Sequence, residues 1–275
     1  MTAYGASQSE STDAVNCARG SLPVSLKGIT KVMARHWLGL FNLGWGIFIG
    51  LPWLAPFLMK VGATWPGRVL YFVYGFLCHQ FADRSFFLFG PQSSYAASEL
   101  LSLAPRGDPR LAMRAFLGTP ELGYKVAWSD RMVALYGGIF VGGLLFALVR
   151  RWLRRPNLVW PALLLVPMAI DGTTHVLSDF APFDAGFRYT NVWLATLTQH
   201  RLGQGFYLGN ALGSFNSWAR LISGTLAGLA VAWAAFPTVE TYVAGARSAR
   251  REQGTAPYEG EEPAQLHPLD TRWEC

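Results

Sequence analysis

Residues 71–91 read YFVYGFLCHQFADRSFFLFGP, and the reading of this stretch decides how the rest of the chain is arranged. It is apolar enough to sit in lipid, yet its second half carries Cys78, His79, Gln80, Asp83 and Arg84. An ionisable side chain at that depth costs roughly 2.5 to 3.5 kcal/mol on insertion scales, so it needs a partner. Read as a helix, the stretch places Gly75, His79 and Asp83 in one line and Gln80 and Arg84 in a second. The expectation is a spanning segment with one polar and one apolar flank.

Composition agrees with a lipid environment. Of 275 residues, 51% are hydrophobic and only 15% are charged, where a soluble domain carries about 25% charge. Windows of about 20 apolar residues mark membrane spans, and five are present: 37–59, 69–89, 131–149, 158–177 and 218–236. The fold class is therefore all-α, a multi-pass transmembrane helix bundle of about five spans filling residues 36–245, in the cell membrane. Residues 1–35 and 246–275 are polar enough to be expected as disordered tails. The net charge of +6 comes from Lys and Arg at segment ends, where it sets topology and not a nucleic-acid surface. Membrane lipids, and a further copy or complex subunit, are the expected partners. Cys17, Cys78 and Cys275 have no disulfide framework spacing.

The Lys/Arg bias gives the orientation. Arg150, Arg151, Arg154 and Arg155 follow the third window, and Arg247, Arg250 and Arg251 follow the fifth. Both clusters read as cytoplasmic, which puts the C-terminus there. Five crossings then leave Lys27, Lys31 and Arg35 outside, against the rule. Two long connections, 91–130 and 178–215, lie on the non-cytoplasmic side and are expected to hold short interfacial helices. Asp108–Pro109 and Thr119–Pro120 have the form of an N-cap followed by Pro at the first helical position. A third short helix, after Thr190, would turn Trp193, Leu194 and Leu197 to lipid. Gly46 with Gly50, Gly138 with Gly142, and Gly224 with Gly228 are small-residue pairs that permit close helix packing.

On this topology four polar groups share one depth: Cys78, His79, Asp83 and Arg84; Asp130 and Arg131; Asp171 and His175; and Asn216 and Arg220. The sequence thus points to a polar pocket at the non-cytoplasmic end of the bundle. The CHQ…RSFFLFG of the second window, the Asp-Gly of the fourth and the Asn-x-x-x-Arg-x-x-Ser-Gly-x-x-x-Gly of the fifth resemble the membrane-protein family called domain of unknown function 2085, over about residues 65–235. That family has a Cys-Ala-Arg-Cys-Thr-Gly-x-Tyr element where this chain reads Ser129 to Tyr136, so the chain resembles a divergent member without both cysteines. The resemblance implies a fold and a topology, and no activity.

Three classes of function remain open. In the first, His79, Asp171 and His175, with Cys78, ligate zinc or another divalent metal. Asp83, Asp171 or His175 then serve as acid or base for hydrolysis, and Arg84, Arg131, Arg220, Asn216 and Gln80 hold an anionic or lipid-like ligand. In the second, the same Asp, His and Arg form an ion or proton relay of a transporter. In the third, the charges are bundle salt bridges and the protein is a structural or accessory subunit.

Overall fold

The computed structural model describes residues 24–150, 152 and 157–255. Its frame is four long helices: α1 (Val24–Lys60), α5 (Asp130–Val149), α6 (Val159–Ser178) and α10 (Phe215–Thr255). Between α1 and α5 lie α2 (Thr64–Tyr74), β1 (Ser85–Leu88), α3 (Ala97–Leu103), α4 (Pro109–Ala115), β2 (Gly118–Thr119) and β3 (Gly123–Ser129). Between α6 and α10 lie the short α7 (Phe187–Thr190), α8 (Val192–Leu197) and α9 (Gln204–Tyr207). Helix α1 begins inside the stretch expected as the first tail, and α10 runs on to Thr255 inside the second, so both expectations are corrected there; residues 1–23 and 256–275 fall outside the described residues.

The direction of each long helix follows from its contacts. Asp130 meets Arg220, and Gly138 meets Gly228, so α5 and α10 run parallel. Helix α1 runs against them: Trp37 Nε1 donates to Glu240 of α10 at 2.7 Å, and Trp45 Nε1 donates to the Tyr136 carbonyl of α5 at 3.0 Å. Helix α6 also runs against them, since Asp171 in its later half meets Arg131 and Ser223.

The α5–α10 seam is a glycine contact, as the spacing of small residues implies. A Cβ on Gly138 would lie 2.8 Å from the Thr225 carbonyl, and one on Gly228 would strike Leu135 and the Gly138 backbone. Gly46 meets only the Phe140 ring, and Gly50 meets nothing, so the first small-residue pair is not a seam.

Among the described residues three helices are long and apolar enough to cross a membrane: Val32–Lys60, Asp130–Val149 and Phe215–Ser248. Helix α6 is also 20 residues long, about 30 Å. The expected span over 69–89 does not form. Helix α2 stops at Tyr74, the chain passes through a 3₁₀ turn at Ala82–Arg84, and Ser85–Leu88 is a strand. Gly75, His79 and Asp83 therefore share no helical line. The run divides into a helix and a strand of four residues, and the aromatic residues Phe86 and Phe87 suit the strand.

A three-stranded antiparallel sheet of order β1-β3-β2 caps this end, with Ser85 opposite Ser129 and Gly118 opposite Tyr124. It replaces the helix expected after Thr119, whose hydroxyl instead accepts from Leu122 N in the β2–β3 turn. Asp108 does cap a helix, accepting from Arg110 N and Leu111 N. Trp128 of β3 is fully buried among Phe48, Tyr74 and Tyr136. Pro52 cannot donate to the Phe48 carbonyl one turn back, and Tyr74 Oη supplies that hydrogen bond at 2.8 Å.

Candidate functional site

The polar end of the bundle is built where α5 and α10 begin and α6 ends. Arg220, 2% exposed, donates through Nε to both carboxylate oxygens of Asp130 at 2.7 and 2.9 Å. Its other two nitrogens reach Asp130 Oδ2, the Asn210 side chain and the Asn210 carbonyl. Asn210 in turn donates to Asp83 Oδ2 at 2.8 Å. Every donor-bearing nitrogen of Arg220 is thus engaged inside the protein.

Beside this pair, Asp171 holds two arginines. Arg131 donates to Oδ2 at 2.7 Å and Arg188 to Oδ1 at 2.6 Å, while Ser223 Oγ adds a contact at 3.3 Å. Arg188 also lies 3.2 Å from His175 Nε2. The same His175 Nε2 lies 3.6 Å from Asp171 Oδ1, so one nitrogen faces both the guanidinium and the carboxylate. Asn216 donates to the carbonyls of Arg188 and Gly209, which fixes the loop that carries Arg188. The Arg188 guanidinium also lies over the Phe215 ring at 5.2 Å.

Next to His175 and Arg188 is a cleft with a volume of about 20 Å³, lined by Arg84, Arg110, Asp179 and Asp184 among others. That is room for one or two water-sized groups. Arg84 pairs with Asp179 at 3.0 Å; burial opposes its charge, but Asp83 and Asp179 outweigh burial and hold it above the ordinary guanidinium value. Arg110 donates to the Asp179 and Ala181 carbonyls at 2.6 and 2.7 Å. Burial first, then Asp83, pushes the Asp184 carboxyl up to about 6. The Nε groups of Arg84, Arg131 and Arg188 are buried and have no hydrogen-bond acceptor among the protein's own atoms, although Asp83 Oδ2 lies 3.9 Å from Arg84 Nε; Asp184 Oδ1 beside the same cleft likewise receives no hydrogen bond.

The structure thus brings together Asp83, Arg84, Asp130, Arg131, Asp171, His175, Asn216 and Arg220, from four separate stretches. It leaves Cys78, His79 and Gln80 out. The His79 side chain is exposed beside the Phe81 ring. Cys78 Sγ donates to Ser129 Oγ at 3.4 Å, and Gln80 donates to the carbonyls of Tyr71 and Ala127. The physical reason is the unwinding after Tyr74, which separates residues that a helix would have aligned.

The metal reading does not fit these positions. Among the described residues no group of three His, Cys, Asp or Glu side chains is arranged to hold an ion. An ion at Asp171 and His175 would have to displace Arg131 and Arg188 from both carboxylate oxygens and from His175 Nε2. Sequence reasoning missed Arg110, Asp179, Asp184, Arg188 and Asn210. They lie in loops or at helix ends, where no periodicity distinguishes a site residue from a solvated one.

Comparison with known proteins finds the family model described as "Predicted membrane protein (DUF2085)" over residues 121–234. An uncharacterized protein of Methanocaldococcus jannaschii is 28% identical over 131 residues, 45% of this chain and 63% of that relative's length. No solved structure matches. The matched region takes in the Asp-Gly and Asn-x-x-x-Arg elements; the CHQ…RSF element lies before it.

Proposed function

We propose, from the similarity of residues 121–234 to that family of predicted membrane proteins, a four-crossing protein of the cell membrane that binds an anionic group in the arginine-lined cleft. The crossings are α1, α5, α6 and α10. With the 69–89 window no longer a crossing, both termini fall on one side. Lys27, Lys31 and Arg35, the Arg150–Arg155 cluster, and Arg247, Arg250 and Arg251 then all lie on the cytoplasmic side. The conflict that five crossings created at the N-terminus disappears, and the cleft lies at the opposite, non-cytoplasmic end.

The observation that carries the ligand reading is the pair of unsatisfied buried donors, Arg84 Nε and Arg188 Nε, beside one cleft. Buried polar groups are hydrogen-bonded in the great majority of cases, and an exception calls for a partner. A carboxylate or phosphate oxygen is the acceptor an arginine fork suits best. The cleft admits one or two such oxygens, so the remainder of the ligand stays at its mouth, as a lipid headgroup would.

The test uses detergent-purified full-length protein. Native mass spectrometry compares retention of phosphatidylglycerol and phosphatidylcholine by wild type and Arg84→Gln, with titration of inorganic phosphate as a second arm. Wild type is expected to prefer phosphatidylglycerol, and Arg84→Gln to lose about tenfold in that preference, from one charge-assisted hydrogen bond. Phosphate binding without lipid preference would name a soluble anion as the ligand. Equal retention of both lipids and no phosphate binding would sink the reading.

A further inference from the structure

Helix α2 returns along α1 in an antiparallel hairpin. Gly67 packs on Met59 and Ala55, and Tyr74 reaches Phe48. The Phe48 ring also meets Tyr136, 5.5 Å between centroids. Tyr136 is six residues into α5, so the end of α2 lies about 9 Å inside the level at which α5 starts.

The face that α2 leaves uncovered is graded. Its first turns carry exposed Trp65 and Arg68, just after exposed Lys60 of α1. From Val69 to Leu77 the exposed residues are Val69, Phe72, Val73, Phe76 and Leu77, all apolar, with Phe76 76% exposed; exposed His79 and Arg114 lie just past that end. Exposed Leu54 and Phe57 of α1 carry the same surface on to that spanning helix. Aromatic and basic residues at one level followed by purely apolar ones is the order found from headgroups into the hydrocarbon.

The backbone after α2 is satisfied from within. Non-helical backbone at membrane depth is tolerated only where protein supplies its hydrogen bonds. Gln80 Nε2 donates to the Tyr71 carbonyl, and Arg114 donates to the Gly75 carbonyl at 3.2 Å. Lys125, fully buried, donates through Nζ to the Gln80 carbonyl at 2.6 Å and to the Arg114 carbonyl at 2.8 Å.

We infer that α1 and α2 form a re-entrant hairpin whose uncovered face, Val69 to Leu77, contacts the acyl chains of the non-cytoplasmic leaflet. This rests on the four-crossing reading. Gln80 and Lys125 serve it by closing the end of α2 against the strand that follows, which gives the CHQ segment a role as a seal and not as a ligand site.

The experiment places a nitroxide label at Trp65→Cys, Phe72→Cys, Phe76→Cys and, as a control in mid-α5, Leu144→Cys. The background is full-length protein with Cys17, Cys78 and Cys275 changed to serine, reconstituted in phosphatidylcholine vesicles. Collision with oxygen reports lipid, and collision with a water-soluble nickel chelate reports water. The expected result is high oxygen and low nickel collision at Phe72→Cys, Phe76→Cys and Leu144→Cys, with depth increasing from Trp65→Cys to Phe76→Cys. Nickel access at Phe76→Cys with Leu144→Cys in lipid would overturn the hairpin and leave the crossings intact. Low collision with both reagents at Phe72→Cys and Phe76→Cys would also overturn it, by showing protein on that face. Nickel access at Leu144→Cys would remove the four-crossing reading itself.

Discussion

Arg220 and the arginines of the cleft lie in the same layer and differ in what their donors have left to do. Arg220 is sealed between Asp130 and Asn210 with all three nitrogens used, whereas Arg84 and Arg188 each keep one buried Nε without an acceptor. On the proposed function the difference separates architecture from recognition. A guanidinium whose donors are exhausted joins helices, because any ligand would have to break an internal ion pair. One with a donor in reserve beside a cleft can accept a guest at no such cost.

The strongest way to break this contrast is Arg220→Ala. It leaves Asp130 buried without its partner, which costs about 3 to 5 kcal/mol, and thermal unfolding in detergent should show a collapsed or sharply lowered transition. A variant as stable as wild type would remove the distinction between the two sets of arginines. The double variant Asp130→Asn with Arg220→Met should recover part of the loss, since it removes both charges together.

A smaller effect sharpens the contrast along the seam beneath. Gly228→Val should cost about 1 to 3 kcal/mol by overpacking, because a Cβ there strikes Leu135 and Gly138. Gly50→Ala, where a Cβ meets nothing within 4 Å, should be neutral or slightly stabilising. Equal transitions in the two variants would contradict the seam.

A further test concerns the cap and is read as a dependence on pH. Burial is the first cause that pushes the Lys125 ammonium from its usual 10.5 down to about 7. The unfolded chain therefore binds this proton between those values and the folded chain does not, so stability rises as pH increases from about 7 to about 10.5. Lys125→Met lacks this slope. The transition temperature of wild type relative to that of the variant should rise over that window, and parallel pH profiles would show that Lys125 titrates normally.

Much of the site was legible before the fold. Asp130 with Arg220, and Asp171 with His175, announced themselves as charges inside apolar helical windows, where lipid makes an unpaired charge costly enough to be informative. Arg188 and Arg110 carried no such mark, because in a polar loop an arginine costs nothing and its partners are chosen only when the loop folds back on α6. The 69–89 window misled for a related reason. Its aromatic and aliphatic residues satisfy a spanning helix and a buried strand alike, and only pairing with β3 chooses between them.

By itself the sequence determined a membrane protein of long apolar helices, the glycine stripes on the third and fifth windows, and the ionisable residues that stand at the ends of those windows. Those follow from hydropathy and helical spacing, which are local. The tertiary structure decided where α2 stops, which arginine meets which aspartate, and that His79 stands apart from His175. Each of these depends on hydrogen-bond partners brought from distant parts of the chain, and no window of neighbouring residues contains that information.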